Sequence, residues 1–125
     1  MKKILIIVLI ASFPLLAEHP IDISLVPKIP GQYALKVSVP EGYAIQIDAP
    51  NRLLLSGQGV KIIKADLKFD GPVHPKKKEY FAQVNEMPLS LQGRGSINVN
   101  ARIFYCNLDK GICISGKVQR TVSVR

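Results

Sequence analysis

The chain has 125 residues, enough for one small domain, and a formal net charge of +8 from 17 Lys and Arg against 9 Asp and Glu. No basic stretch is interleaved with aromatic residues, so the charge does not indicate nucleic-acid binding. The simpler interpretation of the charge is a solvated basic surface. The alternative is attraction to an anionic surface or an acidic partner. Its two cysteines and two histidines lack the spacing of zinc sites, and no phosphate-binding or hydrolase motif is present, so we expect neither metal nor cofactor.

The amino-terminal segment has the pattern of a secretory signal peptide. Lys2 and Lys3 precede an apolar run at residues 4–11, and a small residue, Ala17, ends a plausible cleavage site. A membrane anchor is the competing interpretation, but the run is short of the about 20 residues that cross a bilayer. Cleavage leaves a domain of residues 18–125 that carries a formal charge of +6 and no second long apolar run. We therefore expect a periplasmic or secreted protein of the bacterial envelope, without a stable membrane anchor, in a compartment that permits disulfides.

Apolar residues alternate with polar ones along most of the remaining chain, which is typical of strands with one buried face. Glycine, proline and asparagine clusters separate the alternating runs. These runs occupy residues 21–25, 33–39, 45–47, 53–55, 60–67, 87–91, 97–105 and 118–124. About eight short strands at this spacing predict an all-β fold, an antiparallel β-sandwich rather than a series of βαβ units.

One segment, residues 70–78, departs from the alternation. It contains two prolines, a glycine, His74 and three consecutive lysines. We expect an exposed loop, which in a compact sandwich is either a plain connection or a functional flap.

The two cysteines, Cys106 and Cys113, lie at either end of a predicted turn at residues 107–111. Opposite shoulders of one hairpin can bring two Cα atoms within the roughly 4.4–6.8 Å that a disulfide needs. Such a bond is either a structural staple, worth roughly 2–3 kcal/mol and less where the strands already pair, or a reversible redox pair. The spacing alone leaves both possibilities open.

Residues 103–113, followed by the valine-rich run 118–124, resemble the carboxyl-terminal end of one known domain. This is the amino-terminal periplasmic domain of the thiol:disulfide interchange reductase DsbD, together with the related stand-alone disulfide bond corrector domains. Residues 40–45 are similar to that family's glycine–tyrosine strand, and residues 79–91 to the segment that follows its cap loop. The similarity covers most of residues 18–125 at low identity.

The resemblance implies an immunoglobulin-like sandwich in which Cys113 forms mixed disulfides with partners and Cys106 closes the internal disulfide. It implies that residues 70–78 form a cap, with His74 near the position of the family's covering aromatic residue. Tyr43 would then lie beside the disulfide. The simpler expectation is that Tyr43 and Tyr105 are ordinary aromatic residues of the core. The six residues between the cysteines, where well-known members have five, are a departure from the family pattern.

We therefore expect an exported thiol–disulfide exchange domain that passes electrons through Cys106 and Cys113. Because the chain ends at Arg125 without a membrane-embedded or thioredoxin-like domain, its expected partners are thioredoxin-like envelope proteins and a separate membrane electron donor. We expect a monomer. The alternative is a non-enzymatic secreted binding module with a structural disulfide; a structural envelope component has no positive support in the sequence.

Overall fold

The computed structural model describes residues 20–125, so the predicted signal peptide lies outside the described part of the chain. All regular elements in that part are β-strands, which confirms the all-β prediction. They are β1 (Asp22–Pro27), β2 (Gln32–Ser38), β3 (Tyr43–Gln46), β4 (Arg52–Ala65), β5 (Tyr80–Phe81), β6 (Met87–Asn107) and β7 (Ile112–Val124). No helix among residues 20–125 is long and apolar enough to cross a membrane.

The long strand β6 organises the sheet because it pairs with four other strands. Along one edge β6 pairs with β4 and then, beyond Arg102, with β3; along the other edge it pairs with β2 and then with β7. Two further strands extend the sheet: β1 pairs with β2, and β5 pairs with β3. Every pairing is antiparallel, as the alternating apolar pattern predicts.

Two predicted turns are instead bends within continuous strands. Residues 57–59 lie inside β4 and residues 92–95 inside β6, with register shifts in the pairing nearby. Gly59 and Gly95 have φ angles of 74° and 152°, and a Cβ on Gly95 would lie 2.0 Å from the carbonyl oxygen of Gln58. Glycine is required where two backbones approach this closely, and it permits both strands to bend together. The prediction of about eight strands was therefore wrong: two pairs of runs merge, and the short β5 is added.

The bend folds the sheet over one apolar core, which gives the molecule a sandwich-like form. Strands β1 and β2 supply one part of this core, and β3, β6 and β7 supply another. The largest fully buried side chains are Ile21, Leu35, Ile45, Met87, Leu89, Ile97, Ile103, Val37, Val99 and Val118, together with Cys106. Arg120 on β7 bridges to Asp22 on β1 at 2.9 Å, which fastens the two parts at the surface.

Candidate functional site: the disulfide of the terminal hairpin

The last two strands form a hairpin, and the two cysteines face each other across it. Cys106 on β6 pairs directly with Cys113 on β7, and their sulfurs are bonded at 2.07 Å. Their Cα atoms are 3.9 Å apart, closer than the range expected from the sequence. The separation is nearer to the about 4.5 Å of a close antiparallel pair than to the about 5.5 Å of a hydrogen-bonded one. The disulfide therefore joins two strands that the ladder already holds side by side.

The turn between the cysteines is fixed by its own backbone and by Asn107. The Asn107 Oδ1 atom accepts hydrogen bonds from the backbone N–H groups of Asp109 and Lys110, at 3.0 and 3.1 Å. The amide of Gly111, at φ 66°, donates to the Asn107 carbonyl. Asparagine and glycine are the residues that this kind of tight turn favours. The turn is thus a stable support for the cysteine pair.

The two cysteines differ sharply in exposure. Cys106 is 1% exposed, whereas Cys113 is an exposed residue. The reason is their position in the sheet. Around Cys106, β6 is flanked by β3 and β7, whereas within residues 20–125 the part of β7 that carries Cys113 pairs with β6 alone. Only one end of the disulfide is therefore open to a molecule from solution.

Both cysteines lie on the outer face of the sheet, opposite the core. Ile103 and Tyr105 point into the core, so by strand alternation Cys106 points the other way, together with Ala44 on β3. Ala44 is fully buried even so. Cys106 and Ala44 are therefore covered although neither faces the core.

The side chain of Gln46 contacts the buried sulfur. Its Nε2 atom donates a hydrogen bond to Sγ of Cys106 at 3.4 Å. Asn51 fixes this region, because its Nδ2 donates to the Gln46 carbonyl at 2.7 Å and its Oδ1 accepts from the Phe104 amide at 2.8 Å. Asn51 thereby bridges the gap on β6 between the end of its pairing with β4 and the start of its pairing with β3.

The predicted loop at residues 70–78 folds next to this end of the sheet. Tyr80 pairs with Gln46 in register, and the His74 amide donates to the Tyr80 carbonyl at 2.8 Å. His74 and Lys76 line an open cleft of about 610 Å³ together with Tyr43, Leu108 and the turn at residues 41–42. The loop therefore lies on the Cys106 side of the disulfide and leaves Cys113 exposed.

His74 has a local role in this loop. Its Nδ1 atom accepts hydrogen bonds from the backbone amides of Lys76 and Lys77, at 3.1 and 3.2 Å. Nδ1 of His74 is therefore engaged by its own turn. Phe81 on β5, the register partner of the core residue Ile45, points into the core and is 7% exposed.

Tyr43 and Tyr105 lie on the opposite face from the sulfurs. By register Tyr43 shares a face with Asn107, and Tyr105 shares a face with Ile45, a core residue. The two rings are 6.0 Å apart between centroids and tilted by 55°. Burial, with a smaller contribution from Tyr43, raises the pKa of Tyr105 above its usual 10.0. The pair packs beneath the cysteine strand rather than beside the disulfide.

Sequence reasoning did not identify Gln46 and Asn51. Gln46 lies between Ile45 and Ile47, and this alternation indicates only that its side chain points away from the core. Asn51 follows a proline and looks like an ordinary turn residue. Within residues 20–125 no three His, Cys, Asp or Glu side chains are placed to hold a metal ion. Comparisons with the models of known protein families and with curated proteins found no match to this chain.

Proposed function

We propose that this protein is an exported thiol–disulfide exchange domain of the kind its sequence resembles, with an immunoglobulin-like sandwich as its scaffold. In this proposal Cys113 is the sulfur that partners attack or that attacks them, and Cys106 is the resolving sulfur. The observation that carries the proposal is the difference in exposure between the two bonded cysteines. A disulfide that only stabilises the fold does not need one exposed and one buried cysteine.

The hairpin ladder supports reversibility. Cys106 and Cys113 lie inside a run of thirteen consecutive paired positions that extends from Asn107 and Ile112 to Gly95 and Val124. Loss of the sulfur–sulfur bond leaves that pairing in place, so the two thiols stay opposed and can close again. The same ladder means that the bond adds less stability than a bridge across an unpaired loop would.

The chemistry is an exchange of two electrons between dithiol and disulfide. A thiolate of a reduced partner attacks Sγ of Cys113, a partner–Cys113 bond forms, and the bond to Cys106 breaks with its electron pair left on the Cys106 sulfur. The Gln46 amide, 3.4 Å from that sulfur, donates to the departing thiolate. A second partner thiol then attacks the partner sulfur of the mixed disulfide and releases Cys113. The partner becomes a disulfide and this protein a dithiol; the reverse sequence passes the electrons to the disulfide of a second protein.

The test is the capture of partners by single-cysteine variants, with oxidised wild type as the reference. We expect Cys106→Ala, which leaves the exposed Cys113 free, to accumulate mixed disulfides with thioredoxin-like proteins of a bacterial envelope extract. The matched control is Cys113→Ala, in which the remaining Cys106 is covered and should capture at least about tenfold less protein. Equal capture by the two variants, or none that a reductant releases, would contradict the proposal.

A second measurement is the midpoint potential of the pair against glutathione. Structural disulfides of secreted proteins lie below about −300 mV, whereas exchange domains lie higher. A potential well below that value would favour the alternative, a binding module with an inert bridge.

A further inference from the structure

A row of three cationic side chains crosses the outer face of the sheet near the disulfide. Arg52 on β4, Arg102 on β6 and Lys117 on β7 are direct register partners, so their side chains lie on one face, the face that carries Cys106 and Cys113. We call these three residues the cationic row. It lies four residues along β6 and β7 from the disulfide, about 13 Å at 3.3 Å per residue.

No carboxylate within residues 20–125 forms an ion pair with the cationic row. The ion pairs within residues 20–125 are Lys28–Glu86 and Arg120–Asp22, neither of which involves the row. The register places no Asp or Glu on the outer face of this part of the sheet, which is formed by alternate residues of 52–58, 96–106 and 113–123. Three positive charges therefore stand side by side without compensation from the same face.

Such a row opposes folding, because like charges directly across a pair of strands are destabilising. The row also lines a shallow cleft of about 290 Å³ with the exposed Leu54. The Arg102 Nη1 atom donates to Ser115 Oγ at 3.2 Å, and Ser115 is two residues from Cys113, so the guanidinium leans toward the disulfide. The positive charge of Arg102 therefore lies on the side of the row that is nearer to the exposed sulfur of Cys113.

We propose that the cationic row is the docking surface for the redox partner and that it binds carboxylates on the partner beside the reacting cysteine. The inference rests on the exchange function proposed above and adds the chemistry of the partner. The partner has an acidic surface, and the distance from that surface to the partner's reacting cysteine is about the length of four residues of extended chain. Charge complementarity of this kind raises the rate of encounter and selects partners more than it raises affinity. An acidic protein fits better than a lipid surface, because the row lies on the same face as the exposed Cys113 and leans toward it.

The test uses synthetic peptides of eight residues as probes. Each peptide is serine-rich and has one cysteine and two glutamates, which lie four and six residues from the cysteine. In one peptide the glutamates precede the cysteine, and in a second peptide they follow it. Matched peptides have glutamine or lysine in place of the glutamates. The rate at which each peptide thiol opens the oxidised protein is divided by its rate with a neutral disulfide, which corrects for intrinsic reactivity. At about 10 mM salt we expect the glutamate peptide to react roughly tenfold faster than the lysine peptide, a difference that fades at high salt.

Variants show whether the row is responsible. The double variant Arg102→Gln with Lys117→Gln should lose the preference for glutamate, so that its glutamate and lysine peptides react at similar corrected rates. The matched control, Lys36→Gln, removes an exposed cation on β2, and it should keep the preference. A glutamate peptide that reacts no faster than the lysine peptide, or a preference that survives in the double variant, would overturn the docking proposal.

Binding measured without thiol chemistry separates this inference from the exchange function. Glutamate peptides with serine in place of cysteine should shift the backbone amide resonances of Leu54, Asn100 and Arg102 in an NMR titration, and the double variant should abolish those shifts. If no peptide thiol opens the disulfide, the exchange function fails while this titration still decides the docking surface. Resonances that move with phosphatidylglycerol vesicles but not with the peptide would overturn the acidic-protein proposal in favour of a membrane surface.

Discussion

The Nε2 atom of Gln46 lies 3.4 Å from Sγ of Cys106, and no other side chain within residues 20–125 donates a hydrogen bond to that sulfur. The sulfur itself is covered, since Cys106 is 1% exposed. A hydrogen bond to a charged acceptor in a covered site is worth about 1.5–3 kcal/mol. This contact therefore favours the state in which the disulfide has opened and Cys106 is a thiolate.

Replacement of Gln46 by leucine should slow the opening of the disulfide. Leucine has a similar volume but no donor, so the departing Cys106 thiolate loses its hydrogen bond, and we expect dithiothreitol to reduce the variant about tenfold more slowly, or about 1.4 kcal/mol in the barrier. The measurement is the pseudo-first-order rate of reduction at neutral pH. Gln32→Leu, on β2, is the matched control and should react as the wild type does; an unchanged rate in Gln46→Leu would remove this amide from the mechanism.

The bend of the sheet predicts an unequal cost for two glycine substitutions. A Cβ at Gly95 would lie 2.0 Å from the Gln58 carbonyl oxygen, whereas a Cβ at Gly111 would meet nothing within 4 Å. Both residues have positive φ. We expect Gly111→Ala to lower the free energy of unfolding by about 1 kcal/mol, from backbone strain alone, and Gly95→Ala to lower it by about 3 kcal/mol or more, because two bent strands must separate. Urea denaturation of the oxidised proteins measures both, and equal losses would argue against the close contact at the bend.

The cationic row predicts that removal of a charge stabilises the fold. In Lys117→Gln the repulsion from Arg102 directly opposite is relieved, and we expect the free energy of unfolding at low salt to rise by about 0.2–1 kcal/mol. The gain should shrink as salt is added, since these charges are exposed. Lys36→Gln, whose register partner is Ser24, serves as the comparison and should show no such gain. A loss of stability in Lys117→Gln would mean that the lysine is held by contacts other than its charge.

The raised pKa of Tyr105 predicts how stability changes at alkaline pH. In the unfolded chain a tyrosine ionises near 10.0, whereas the folded protein keeps Tyr105 neutral to higher pH. The folded state therefore binds more protons than the unfolded state above pH 10, and stability falls as the pH rises from about 10 through the folded pKa. Tyr105→Phe should flatten this decline when urea denaturation at pH 8 and pH 10.5 is compared.

Tyr33→Phe is the control for that experiment. Tyr33 is partly exposed, and its hydroxyl donates to the Arg125 carbonyl at the surface at 3.4 Å. The decline in the free energy of unfolding at alkaline pH should persist in Tyr33→Phe. If the decline is equally steep in Tyr105→Phe, groups other than Tyr105 cause it.

Much of the strand pattern could be predicted from the sequence. Ile97, Val99, Ala101 and Ile103 alternate with polar residues and are indeed buried on one face of β6. The prediction failed at the glycine clusters of β4 and β6, because glycine marks a turn and a bend equally well in the sequence, and only the partner strand decides between them. The site was found in part: the cysteine hairpin is confirmed, but Gln46 reaches Cys106 from sixty positions earlier in the chain, and local patterns do not report such contacts.

The sequence by itself determined the strand alternation, the turn chemistry at Asn107 and Gly111, and the presence of two cysteines within reach of each other, because these depend on neighbours along one hairpin. Only the tertiary structure decided that Cys106 is covered while Cys113 is exposed, and that Arg52, Arg102 and Lys117 stand in one row. Exposure and charge neighbours are set by which strand lies on each side, and that order depends on pairings between residues far apart in the chain.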